Sequence, residues 1–246
     1  MTDAPVIGYA SRFHAVPSCP GSFRVTDQSD AVWIARCDEC DEQVGVPARE
    51  LDPAVRRAAR RAAAYLPDSF AGRHIDRTPE REPVLRSLRQ WLAGYDPSLG
   101  AASLLPAPCI WGDTGRGKSC ILTATCERVI DELDLAVAWC STRSLLHDLQ
   151  RFDSDTIRGA AWDRAASVDV LALDDLGAER PTDWRIDQLA HLIDERYQSE
   201  RPILIATNYS PNDWPQILDA RTVSRLRQMV FPIELSGPDR RLGEAA

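Results

Sequence analysis

No stretch of this chain approaches the roughly 18 consecutive apolar residues that a membrane-spanning helix needs, so no span is expected. The N-terminus, Met-Thr-Asp-Ala-Pro, has neither a basic region nor an apolar core, and a secretion signal is not expected either. Basic residues are in deficit. Lys and Arg number 29 against 37 Asp and Glu, and the formal charge of −8 argues against a protein that coats duplex DNA by bulk charge. It leaves room for a local nucleic-acid groove. There is no internal repeat and no low-complexity tract. Cysteines number seven, an odd count in a chain without a leader, which favours reduced thiols or metal ligands over a disulfide scaffold. The cytoplasm is the expected compartment. What remains is a chain of 246 residues, 44% hydrophobic and 27% charged, long enough for one α/β domain and a small appendage.

The chain is organised around residues 105–122, which read as strand, glycine loop and helix. Within them Gly112-Asp113-Thr114-Gly115-Arg116-Gly117-Lys118-Ser119 is a full G-x-x-x-x-G-K-[ST] match. In such a loop successive backbone N–H groups converge on the phosphates of a nucleotide. The lysine reaches the β and γ phosphates, and the Ser hydroxyl ligates Mg²⁺. Pro108 to Trp111 is a short apolar run ahead of the loop. After it Leu122, Cys126, Val129, Ile130 and Leu133 recur at helical spacing, so a helix N-terminus adds to phosphate binding. A nucleoside triphosphate is the expected ligand.

Further strands follow in alternation with helices. Leu135 to Cys140 is a continuous apolar run, as in a buried parallel sheet, and Ser141 or Thr142 caps a helix carrying Leu145, Leu146 and Leu149. Val168 to Asp175 is an apolar strand that ends in two carboxylates. Asp174 falls at the C-terminal edge, where open α/β sheets bind ligands, and is expected to hold Mg²⁺; Asp175 is placed to orient and deprotonate an attacking water. Thr182 precedes a helix, and Pro202 to Thr207 is a buried strand ending on Asn208. That amide could meet a γ-phosphate or could simply form a turn. A last strand spans Val230 to Leu235. These units give a parallel sheet with helices on both faces.

Residues 1–50 read as a separate small domain. His14 and Cys19, then Cys37 and Cys40, offer one imidazole and three thiolates as two pairs, the ligand set of tetrahedral Zn²⁺. Between them Ser22 to Thr26 and Ala31 to Ala35 read as hairpin strands joined by a turn at Asp27 to Asp30, giving a small zinc-ribbon-like module. So small a segment buries little core, and a metal would explain how it folds. Residues 51–104 read as a helical linker. Asp52-Pro53 starts a helix with Arg56, Arg57, Arg60 and Arg61 on one face, ended by Leu66-Pro67, and Pro83 to Leu92 forms a second, amphipathic helix. The nucleotide domain takes 105–246. In it Arg151 and Phe152 are candidate single-stranded DNA contacts by charge and stacking, although a plain surface Arg beside a half-buried Phe accounts for them as well.

The string Leu173-Asp174-Asp175-Leu176-Gly177-Ala178-Glu179, then Ala206-Thr207-Asn208, Ser224-Arg225-Leu226 and Gly237-Pro238-Asp239-Arg240 resembles the AAA+ ATPases of the DnaC/IstB type. These are bacterial and phage helicase loaders and related transposition helpers, and the resemblance runs from about residue 66 to the end. It implies a P-loop NTPase of the AAA+ kind with a reduced C-terminal lid, using ATP and Mg²⁺. Lys118 and Ser119 would bind phosphates and Mg²⁺, Asp174 would be the Mg²⁺ aspartate and Asn208 the γ-phosphate sensor. Arg225 would be an arginine finger acting on a neighbouring subunit's ATP, with Arg221 and Arg227 close by. Arg240 would be a second sensor in its own subunit. Implied partners are the hexameric replicative helicase, single-stranded DNA and further copies of the chain. The implied activity is ATP-dependent loading of that helicase, with help to a transposase as the alternative.

Overall fold

The computed structural model describes residues 6–7, 23–28, 32–37, 43–47, 52–70, 78, 80–151, 155–178 and 182–240. By internal contacts the chain divides into Met1–Ala64 and Tyr65–Ala246. The helix of residues 53–63 therefore belongs with the first unit. Residues 65–104, expected as linker, belong with the second.

The first unit holds an antiparallel sheet of four strands in chain order: β1 (Val6–Ile7), β2 (Phe23–Gln28), β3 (Val32–Cys37) and β4 (Gln43–Pro47). β2 and β3 make the hairpin expected from two strand-like runs joined by a turn-like segment. Its register runs from Gln28↔Trp33 to Phe23↔Cys37, with a bulge between Val25 and Asp27. β1, only two residues long, and β4, interrupted by Gly45 and closed by Pro47, were not expected. Helix α1 (Pro53–Ala63) starts on Asp52, whose carboxylate accepts from Ala54 N at 2.7 Å, and it stops before Leu66. The expected zinc ligands His14, Cys19 and Cys40 lie outside the described residues, as does the side chain of Cys37. Among the described residues no cluster of metal-binding side chains occurs.

The second unit is a five-stranded sheet. Its strands are β5 (Ala107–Trp111), β6 (Val137–Ser141), β7 (Val170–Leu176), β8 (Ile203–Thr207) and β9 (Val230–Glu234), in the order β6-β7-β8-β5-β9. Every pairing is parallel. The intervening helices are α2 (Glu82–Ala93), before the first strand, α3 (Lys118–Leu133), α4 (Thr142–Arg151), α5 (Asp155–Ser167), α6 (Asp183–Gln198) and α7 (Ala220–Met229). Because strand side chains alternate between faces, β5 feeds both layers. Cys109 joins Leu173, Ile205 and the apolar faces of α4, α6 and α7, whereas Ile110 joins Ile121 of α3 and Val84 and Leu88 of α2. Helices thus cover both faces, as a parallel sheet requires. The result is a P-loop NTPase-like fold. After β9 the described residues, 235–240, contain no helix.

Two features position the site. Connection β5–α3 carries the chain from the sheet's interior to its edge at β6, so the strand order changes direction at β5. Its C-terminal end is then an open crevice, the place where such sheets bind ligands. The register Trp111↔Thr207 also puts the residues after β5 and β8, Gly112 and Asn208, side by side. One charged side chain, Arg196, is fully buried and spends its guanidinium on main-chain carbonyls: Ala165, Ala166 and Val168 at the end of α5, Asp169, and Pro202 before β8. It ties the N-terminal ends of β7 and β8 together, opposite the crevice. Helix α5 was not foreseen, since its buried residues are mostly alanines, such as Ala165 and Ala166, and give no large-residue period.

Candidate functional site

The phosphate loop occupies residues 112–117 between β5 and α3. Lys118, the first residue of α3, is buried and points back across the loop. Its Nζ donates to Gly112 O at 2.8 Å, Asp113 O at 2.8 Å and Asn208 Oδ1 at 2.6 Å. An ammonium carries three protons, and here each has an acceptor. Arg116 and Asp113 pair across the rim of the loop at 3.0 Å.

The strand-end acids differ from each other. Asp174 is buried, accepts from Ser119 Oγ at 3.0 Å and from its neighbour's amide, Asp175 N, at 3.1 Å. Burial pushes its carboxyl up to about 6, against the pull of the Ser119 hydroxyl. Asp175 is exposed and left-handed, with φ 56°. The cause is a bulge: Leu173 pairs with Ile205 and Leu176 with Thr207, so β7 has one residue more than β8 between these pairs. Bulges re-aim side chains at sheet ends, and this one breaks the strict alternation of faces between the two successive carboxylates. Thr142 Oγ1 holds Asp174 O at 3.1 Å from the α4 side, and Thr207 Oγ1 holds Leu176 O at 2.7 Å from the β8 side. The sequence marked Thr142 as a possible helix cap and Thr207 as the strand end before Asn208, but neither for this role, because hydroxyls that steady main-chain carbonyls carry no spacing signature.

Ser119 Oγ and Asp174 Oδ1 are the residues that could hold Mg²⁺. They are oxygen donors already in contact, and a carboxyl that resists ionisation when buried is eased by a divalent cation.

The C-terminal segment also reaches the loop. Arg240 N donates to Gly115 O at 3.0 Å, and its guanidinium donates to Thr78 Oγ1 at 3.3 Å. Asp239 lies so close to Gly115, whose φ is 81°, that a side chain there would collide with its carboxylate. From before α2, Arg81 reaches the loop's other shoulder and donates to Arg116 O at 3.4 Å. Of the three residues that reach the loop here, Arg81, Asp239 and Arg240, the sequence marks only Arg240 for a role.

Arg225 is turned onto its own chain. It forms an ion pair with Asp194 of α6, and its guanidinium lies 5.5 Å from the centre of the Tyr197 ring. Arg221 stands 3.7 Å from the same carboxylate with its side chain 73% exposed, and Arg227 donates to Pro211 O at 3.3 Å. Phe152 and the side chain of Arg151 lie outside the described residues.

Residues 108–226 match the family model described as IstB-like ATP binding protein, so just under half of the chain is similar to that family. The replicative helicase loader DnaI of Bacillus subtilis is 20% identical over 206 residues, covering 78% of this chain and 66% of that protein. The matched part thus falls just short of two thirds of the relative's length. A crystal structure of DnaI superposes with a TM-score of 0.57 at 22% identity, covering 72% of this chain and 95% of that one. A crystal structure of the DnaC helicase loader gives 0.58 at 22% identity, covering 66% and 94%. At these identities the likeness to the solved structures is one of fold. No helix among the described residues is long and apolar enough to cross a membrane.

Proposed function

We propose that this chain is an ATPase that loads the replicative DNA helicase onto single-stranded DNA, with ATP binding and hydrolysis switching assembly. The observation that carries the nucleotide chemistry is the link from Lys118 to Asn208, with Ser119 on Asp174 beside it. One loop, one strand-end acid and one strand-end amide thereby form a single hydrogen-bonded site. Ser119 and Asp174 would hold Mg²⁺, which would supply neutralising charge for the phosphates. Asp175, free of the buried crevice wall, would orient the attacking water. Asn208 would exchange Lys118 for the γ-phosphate and so register whether it is present.

The role in replication is supported by the likeness to DnaI, a replicative helicase loader. Arg225 would complete the site of a neighbouring copy, so that turnover depends on assembly. Residues 1–50 would dock on the helicase, folded around Zn²⁺. The family model, described from an IstB-like protein, favours a second reading as the ATPase partner of a transposase. The test is ATP turnover and helicase activity on a circular single strand blocked by a primer. Helicase-dependent unwinding that rises with this protein and ATP supports loading. Turnover stimulated by duplex DNA, with no effect on the helicase, favours the second reading.

A further inference from the structure

The phosphate loop is held in shape by donors that lie outside its own strand–loop–helix unit. Helix α2 is seated on β5 and α3 through Val84 and Leu88, which cluster with Ile110, Ile121 and Leu235. That seating puts Arg81, the residue ahead of α2, against the end of the loop. Arg81 is 5% exposed, and its Nη2 donates to Arg116 O at 3.4 Å. The same nitrogen lies 2.5 Å from where a Cβ on Gly117 would be, and Gly117 has φ 92°. Only glycine suits this position, because of both its backbone and the guanidinium against it.

In a trans peptide the C=O and the following N–H point in opposite directions. A donor that holds Arg116 O on the outside of the loop therefore turns Gly117 N–H to the inside. Arg240 N on Gly115 O does the same for Arg116 N–H from the C-terminal side. Gly117 immediately precedes Lys118 and α3, so its N–H lies where the helix end and the loop amides converge on an anion. A guanidinium at the positive end of a helix also gains when the loop takes up phosphate.

We propose that Arg81 is a positioning residue of the nucleotide site, which aims the Gly117 amide at the phosphates of ATP by holding Arg116 O from outside. This rests on the loop binding ATP through its phosphates. Arg81 lies outside the segment that the family model matches.

The test uses the full chain with Arg81→Met, which keeps the stem, Arg81→Lys, which keeps the charge, and Arg89→Met as control. Arg89 is on the same helix, half exposed and paired with Glu82 at 2.8 Å. Displacement of a fluorescent ATP analogue by ATP and by inorganic tripolyphosphate reads affinity, and melting without nucleotide reads the fold. The expected result is a loss of about tenfold for both competitors in Arg81→Met, a smaller equal loss in Arg81→Lys, and no change in Arg89→Met. Arg81→Lys is expected to melt within about 2 °C of the parent, since its charge and stem remain. Unchanged affinity in both Arg81 variants overturns the proposal. So does a loss for ATP with none for tripolyphosphate, which would place Arg81 on the nucleoside, or a loss confined to variants that no longer fold. A parent protein that binds neither competitor would overturn the P-loop reading itself, and this inference with it.

Discussion

Lys118 Nζ and Asn208 Oδ1 stand 2.6 Å apart, although 90 residues separate them in the chain. Parallel pairing of β5 with β8 brings them together, and the loop lysine then bridges the two strand ends. In the proposed function an incoming γ-phosphate would compete with the amide for the lysine's hydrogen bond. Binding of nucleotide and release of Asn208 would then be one exchange.

The two residues should therefore fail differently. Lys118→Ala should weaken ATP binding by about 100-fold or more, since it removes a charge-assisted contact to the phosphates. Asn208→Ala should leave affinity within about threefold while turnover falls at least about tenfold, as expected for a group that acts in the transition state. Equilibrium binding and single-turnover hydrolysis separate these. Equal losses of affinity in the two variants would contradict the assignment.

Asp174 gives a pH signature. Its folded value of about 6 lies above the ordinary 3.8. The stability it contributes is present in acid, below about pH 4, and is lost as pH rises through 6. Asp174→Asn should thus stabilise the nucleotide-free protein at pH 8 by on the order of 2 kcal/mol, and by clearly less at pH 5. With Mg²⁺ and ATP present the order should reverse. Melting curves at the two pH values check this, and an equal difference at both would contradict it.

Much of this site was legible in the chain. The phosphate loop, the strand-end acids and Asn208 sit at the ends of apolar runs, where spacing and residue type agree. The parts that were not legible act through shape. The bulge that turns Asp175 is a count of residues against β8, visible only once β7 and β8 are paired. Arg81 and Asp239 meet the loop because α2 and the segment after β9 pack beside β5, which no local pattern records. Helix α5, small and alanine-rich on its buried side, shows the same loss of signal in the fold.

The pairing of Arg225 with Asp194 bears on assembly. Arg225→Ala should lower the melting temperature by about 3 °C, because both the ion pair and the Tyr197 contact go. Its turnover should be lost. A mixture of Arg225→Ala with Lys118→Ala should recover turnover, since the second variant offers an intact arginine to the first variant's intact loop. Recovery with Arg221→Ala in place of Arg225→Ala, and none with Arg225→Ala, would assign the role to Arg221.

The N-terminal unit is expected to carry about one Zn²⁺ per chain. Register Phe23↔Cys37 puts Cys37 at the end of the hairpin nearest in sequence to Cys19. Metal analysis of the purified chain should find zinc and lose it in Cys37→Ser, with the second unit's melting unchanged. A zinc-free parent that keeps its N-terminal sheet would contradict this.

Light scattering of the full chain with the hexameric replicative helicase of the same organism tests helicase loading most directly. A complex that forms with ATP, weakens in Lys118→Ala and is lost on removal of residues 1–50 is the expected result. No complex under any nucleotide condition, with tight binding to duplex DNA instead, would contradict it.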